Sequence, residues 1–177
     1  MRLALPLQTK RLIIKQFTEQ DKESYNQFLS DEDYINNLGR QKLQQVIEEY
    51  SSEEYISSGL GILMAYEVDL SKVIGLCGLY RDQSGEGKDI GILYAVLAQF
   101  RGQRYATEIA IKLRETAFKV LNLDRVVARV NPDNAASVRI LKKLGMTYYK
   151  PVPDLLHDKE EHLYVLDKEM YERLKNS

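Results

Sequence analysis

The spacing of apolar residues changes several times along this chain, and each change predicts an element. Arg11-Leu12-Ile13-Ile14-Lys15-Gln16-Phe17 is short and β-branched, which predicts a strand. Thr18 follows as an N-cap, with Asp21 three residues on as a variant capping box. Tyr25, Phe28 and Leu29 then recur at helical spacing. Residues 30–40 are polar, a loop or broken helix. Leu43, Val46, Ile47, Tyr50 and Tyr55 mark a second helix over residues 42–56, which Gly59 ends. Residues 60–68 and 73–80, joined by Asp69-Leu70-Ser71-Lys72, predict a hairpin. Residues 82–88 are loop by composition. Residues 89–96 are apolar on both faces, which predicts a central strand.

The second half follows the same logic. Ala106, Ile109, Ala110, Leu113, Ala117 and Val120 or Leu121 form one stripe of a helix over residues 104–121. Val126-Val127-Ala128 centres a strand over residues 124–130. Asp133 or Asn134 caps a short helix that runs through Leu144 and stops at Gly145. Residues 147–150 and 163–166 give two last strands, with Pro151 and Pro153 breaking the segment between them. Residues 168–175 suggest a terminal helical turn. Strands and helices mixed in this order describe an α+β domain around a mixed, mostly antiparallel sheet of about six to seven strands.

Composition narrows the function. A chain of 177 residues is most simply one domain, residues 1–177, with 44% hydrophobic and 29% charged positions. A net charge of -1 argues against bulk binding to nucleic acid or an anionic membrane. The single Cys77 lies in the apolar run Ile74-Gly75-Leu76-Cys77-Gly78-Leu79-Tyr80, which predicts a buried inert thiol. With His157 and His162 the only imidazoles, a multi-His metal site is not expected. The N-terminus lacks a long apolar stretch, so a cytoplasmic location is the default.

Candidate chemistry gathers where residues 101–107 open the long helix. The first N–H groups of a helix have no intrahelical partner and carry the positive end of its dipole. Gly102 permits close backbone approach, and Arg101 and Arg104 add charge. These features suit a pyrophosphate, and they equally describe an ordinary strand-to-helix turn with solvated arginines.

The wider pattern goes further. Arg101-Gly102-Gln103-Arg104-Tyr105-Ala106-Thr107-Glu108 precedes an amphipathic helix and a Val-rich strand. Asn131-Pro132-Asp133-Asn134-Ala135-Ala136-Ser137 and a closing Leu144-Gly145-Met146 follow. Together they resemble the GNAT N-acetyltransferase superfamily, and the Asn-Pro-Asp-Asn-Ala-Ala-Ser form is most similar to its RimJ/RimL, ribosomal-protein acetyltransferase branch. The resemblance implies a sheet splayed in the middle to admit acyl-CoA. Backbone N–H groups of Arg101, Gly102, Gln103, Arg104, Tyr105, Ala106 and Thr107 would cradle the acetyl-CoA pyrophosphate. The strand end Val96, Leu97 and Ala98 would bind the pantetheine arm and polarise the thioester carbonyl. Asn134 would hydrogen-bond the cofactor, and Ser137 stands where this branch has a serine near the thioester sulfur. Two positions depart from the pattern. Arg104 replaces the central glycine of the loop, where a glycine-only conformation is costly for arginine. Leu141 occupies the place of a tyrosine general acid and cannot protonate a thiolate.

Amide formation from a thioester needs a neutral amine, close approach, an oxyanion donor and a proton for the leaving thiolate. Asp89 and Glu67 are candidate bases acting through water; exposed strand-end carboxylates are the plainer account of both. Ser137 is the candidate acid, although a helix-initial serine commonly bonds local backbone. Asn134 serves equally as an N-cap, Tyr105 as a packing residue and His162 as a strand-face residue. Asp31, Glu32, Asp33, Glu48, Glu49, Glu53 and Glu54 form either an acidic field favouring a cationic acceptor or a solvated helix face. The expectation is an acetyl-CoA-dependent N-acetyltransferase, without metal, acting on a protein N-terminus or small-molecule amine. A sheet edge is available to pair with a second copy. A catalytically silent acyl-CoA-binding module is the alternative, and a binder of some other phosphate ligand is the second.

Overall fold

A computed structural model describes residues 4–16, 18, 21–28, 30, 48, 52, 58–82, 89–153 and 160–175. Its strands are β1 (Leu7–Gln8), β2 (Leu12–Lys15), β3 (Gly61–Glu67), β4 (Val73–Arg81), β5 (Ile90–Val96), β6 (Arg125–Val130), β7 (Thr147–Pro153) and β8 (Glu160–Asp167). Its helices among the described residues are α1 (Lys22–Phe28), α2 (Tyr105–Glu115), α3 (Ala135–Lys143) and α4 (Lys168–Lys175). The strands make one mixed sheet in the order β1-β2-β3-β4-β5-β6-β8-β7. The mixed α+β architecture agrees with the sequence pattern. The eighth strand is β1, whose two residues are too few to show alternation. The second helix expected over residues 42–56 and most of the loop over residues 82–88 lie outside the described residues.

Packing divides the chain into two compact units. The first comprises residues 1–78 and 94–109. In it β2 pairs antiparallel with β3, from Leu12 opposite Glu67 to Lys15 opposite Met64. Leu12, Ile14, Met64, Ile74 and Cys77 are buried, and burial pushes the Cys77 thiol pKa up, as an inert core thiol requires. At the start of α1 (Lys22–Phe28) the Asp21 half of the expected capping box forms, while the Thr18 hydroxyl donates instead of capping a backbone N–H. Thr18 donates its backbone N–H (2.8 Å) and its hydroxyl (2.6 Å) to the Asp21 carboxylate. Burial pushes that carboxyl pKa up, but the Thr18 hydrogen bonds and the field of Lys15 help to hold it below the usual value.

The second unit comprises residues 79–93 and 110–177. Here β6 pairs antiparallel with β8 along its full length, from Arg125 opposite Asp167 to Val130 opposite His162. The parallel pairing of β5 with β6 covers only Ile90–Val126 and Gly91–Val127, so the ladder stops there while β6 runs on to Val130. Helix α3 ends as its sequence predicts. Gly145 has φ +82°, Gly145 N–H donates to Lys142 and Met146 N–H to Leu141, both at 3.0 Å, which is a Schellman cap. Two expectations need correction. Pro151 and Pro153 do not break the chain into a loop; both lie within β7, because β7 is an edge strand and one of its flanks needs no ladder donors. The long helix does not stay α-helical to residue 121: Thr116–Val120 form a wider π turn, with Leu121 N–H donating to Thr116.

Candidate functional site

The loop between β5 and α2 is built from short local bonds. Leu97 N–H leaves the strand end toward Ile74 at 3.1 Å. Ala98–Phe100 make a tight turn, closed by Phe100 N–H to Leu97 at 2.9 Å and Arg101 N–H to Ala98 at 3.2 Å. The Arg101 side chain folds back, its Nε donating to the Val96 carbonyl at 3.2 Å. Gly102 then takes φ +77° and Arg104 φ +66°. The sequence departure at Arg104 is therefore real strain: a left-handed residue with a Cβ costs about 1–2 kcal/mol. Glu108 N–H donates to Arg104 at 3.1 Å and starts the helix.

Among the described residues, no protein group accepts from the backbone N–H of Gly102, Gln103, Arg104, Tyr105, Ala106 or Thr107. A Cβ built on Gly102 would meet nothing within 4 Å. The loop thus presents a row of donors at a positive helix end beside open space, which fits a diphosphate. Leu97 behaves differently from its expected role. Its N–H is taken by Ile74, on β4, so it is not a donor for a thioester oxygen.

The sequence did not reveal what holds this loop. Glu108 Oε1 accepts from the Thr9 hydroxyl at 2.6 Å and from Arg11 N–H at 2.9 Å. Glu108 Oε2 accepts from Arg11 Nε at 2.7 Å. Arg11 Nη1 reaches on to the Gln103 carbonyl at 3.1 Å, and its guanidinium lies 4.1 Å over the Tyr105 ring. Tyr105 is buried, and its hydroxyl donates to Glu67 at 3.3 Å. Tyr105 is thus the packing residue that its place beside the loop suggested.

Burial pushes the Glu108 carboxyl pKa up, yet the donors from Thr9 and Arg11 outweigh it and hold it below its ordinary 4.5. A carboxylate with a depressed folded pKa contributes stability above its unfolded pKa and loses it as pH falls through the folded one. The gap in urea midpoint between wild type and Glu108→Gln should therefore be full at neutral pH and shrink below 4.5. A gap that stays constant down to about pH 3 would show that the charge does not matter.

The carboxylates proposed as bases are committed elsewhere. Glu67, at the end of β3, meets Tyr105, accepts from Ser71 at 3.3 Å and pairs with Lys72 at 3.5 Å. Asp89 pairs with Arg125 at 3.6 Å. It precedes β5, and at about 3.3 Å per residue it stands roughly 20 Å along the strand from Val96.

In the second unit, Asn134 caps α3: its Oδ1 accepts from Ser137 N–H at 3.0 Å. Asn131 shapes the approach, accepting from Asp133 N–H at 2.9 Å. Ser137 is half-buried on the first turn of α3. Leu141 is 1% exposed, a core residue rather than a group that faces a substrate. His162 lies on the face of β8 with its ring 4.8 Å from that of Tyr148. Among the described residues no three His, Cys, Asp or Glu side chains cluster to hold a metal. No helix there is long and apolar enough to cross a membrane.

Residues 11–147 match the family model of the acetyltransferase (GNAT) domain. YnaD of Bacillus subtilis (strain 168), an uncharacterized N-acetyltransferase, is 28% identical over 145 residues, covering 78% of this chain and 80% of YnaD. The fold is similar to that of an acetyltransferase from Agrobacterium tumefaciens str. C58, with a TM-score of 0.76 and 23% identity over 94% of this chain and 96% of the other. It is also similar to the spermidine N-acetyltransferase of Vibrio cholerae, solved in complex with CoA and spermine. The TM-score is 0.70 and the identity 11%, over 92% of this chain and 99% of that one.

Proposed function

The chain belongs to the GNAT acetyltransferase family and is an acetyltransferase; from that premise we propose that it transfers an acetyl group from acetyl-CoA directly to a primary amine. The observation that carries this reading is the row of N–H donors from Gly102 to Thr107, which lies inside the matched region. Bound acetyl-CoA supplies the activated acetyl group. The work of the chain is to hold and orient it. Backbone N–H groups of residues 102–107 receive the diphosphate, and Arg101 and Arg104 balance its charge. The strand end at Val96 and Ala98 aligns the pantetheine arm and polarises the thioester carbonyl.

Asn134 contributes both a cap and a polar group toward the cofactor. Ser137 is the residue proposed to hydrogen-bond the departing thiolate, since Leu141 has no proton to give. Glu67 and Asp89 are held in ion pairs, which supports a structural role for each; water is the simpler acceptor for the amine proton. The motif Asn131-Pro132-Asp133-Asn134-Ala135-Ala136-Ser137 supports a RimJ/RimL-like enzyme acting on a protein N-terminus or a small amine. The acidic positions between residues 31 and 54 support a cationic acceptor. The reading takes residues 1–177 as a single cytoplasmic acetyltransferase domain.

Incubation with acetyl-CoA and a panel of amines, read as free-thiol release, tests the proposal. Amine-dependent release supports it. CoA binding without release under any amine supports the silent binding module instead. Ser137→Ala should lower kcat about tenfold while the Kd for acetyl-CoA moves less than about twofold. Unchanged turnover would remove Ser137 from the reaction.

A further inference from the structure

We infer that Arg11 is a positioning residue for the diphosphate loop, acting through the Gln103–Arg104 peptide. The inference rests on the reading that residues 102–107 bind the acetyl-CoA diphosphate. In a trans peptide the C=O and the following N–H lie in one plane and point in opposite directions. Arg11 Nη1 donates to the Gln103 carbonyl at 3.1 Å. Holding that oxygen fixes the direction of the Arg104 N–H, which points away from Arg11.

This restraint matters because Arg104 has φ +66°, a conformation that a non-glycine residue keeps only when its surroundings hold it. The two peptides that flank Arg104 are held differently. The Arg104 carbonyl accepts from Glu108 N–H, an ordinary helical bond at 3.1 Å that any sequence supplies. The Gln103 carbonyl depends on one guanidinium reaching across 92 residues of sequence.

Arg11 is itself fixed at three points. Its Nε lies 2.7 Å from Glu108 Oε2, its backbone N–H is bound to Glu108 Oε1, and its Cζ lies over the Tyr105 ring. A lysine at this position keeps the charge near Glu108. Its single ammonium cannot reproduce the fork that serves Glu108 and Gln103 together. The glycine found in related loops tolerates left-handed φ unaided; Arg104 needs Arg11.

The test compares wild type, Arg11→Lys and Arg11→Gln in the full chain, using coenzyme A, acetyl-CoA and S-acetylpantetheine, which lacks the diphosphate. Titration calorimetry should show the Kd for coenzyme A raised about tenfold in Arg11→Lys and further in Arg11→Gln. The preference for acetyl-CoA over S-acetylpantetheine in kcat/KM should fall by the same factor, through KM, with kcat for acetyl-CoA held within about twofold. The 15N–1H resonance of the Arg104 amide should move on adding coenzyme A to wild type and move less in Arg11→Lys. Should Arg11→Gln fail to fold, Arg11→Lys decides.

Equal losses with both donors would mean that Arg11 only stabilises the fold, which overturns the inference. An unchanged Kd for coenzyme A in Arg11→Lys overturns it as well, while leaving the loop assignment standing. A wild-type protein that does not prefer acetyl-CoA to S-acetylpantetheine overturns the loop assignment and this inference together.

Discussion

Gly102→Trp is expected to raise the Kd for coenzyme A by about a hundredfold or more while the protein stays folded. Two observations set the size of the effect. A Cβ at position 102 meets no heavy atom within 4 Å, so an indole there is not forced into the core. It extends into the open space at the start of the row of unbonded N–H groups from residues 102–107, where it would compete with a phosphate. The structural cost is limited to placing a side chain at φ +77°, about 1–2 kcal/mol. Calorimetry with coenzyme A, beside a thermal melt of the variant, separates the two effects. A folded variant with unchanged affinity would contradict the assignment of this loop. Gly102→Ala provides the intermediate case: it keeps the backbone cost with little of the obstruction, so affinity should fall by less.

The local features that the sequence revealed are those specified by neighbouring residues. The N-cap at Asn134, the stop at Gly145 and the opening of α2 each depend on a few adjacent positions, and each was visible as a pattern. The strain at Arg104 was visible too, as an arginine where a related loop has glycine. The rest depended on pairing between distant segments. The contacts of Arg11 and Thr9 with Glu108 span 97 and 99 residues and leave no periodicity to detect. Pro151 and Pro153 resembled breakers because nothing local marks a strand as an edge. Asp89 looked like a free carboxylate at a strand end, and only the pairing of β5 with β6 brought Arg125 to it. The shortness of that ladder, limited to Ile90–Val126 and Gly91–Val127, corresponds to no residue pattern within β5.

Gly78→Ala is expected to be the most destabilising small substitution, by about 3 kcal/mol or more. An ideal Cβ at Gly78 would lie 1.9 Å from the Gly61 carbonyl oxygen, 2.9 Å from its carbon and 3.1 Å from Ile62 Cα. All three are backbone atoms, so no flexible side chain can move aside. Relief requires β4 to draw away from the start of β3, in the unit whose core holds Ile62, Met64, Ile74 and Cys77. Glycine inside an apolar strand is unfavourable in itself, and here close backbone approach is its reason. The contrast with Gly102 makes the prediction specific. At Gly102 the penalty arises from a positive φ with open space around it; at Gly78 it arises from contact alone. For a chain of this size each kcal/mol lowers Tm by about 2–4 °C, so Gly78→Ala should melt roughly 6–12 °C below wild type. Gly102→Ala should melt about 2–8 °C below wild type on the same scale. Circular dichroism melts of the two variants decide it: equal Tm values would mean that the approach of Gly78 to Gly61 is not what requires glycine at that position.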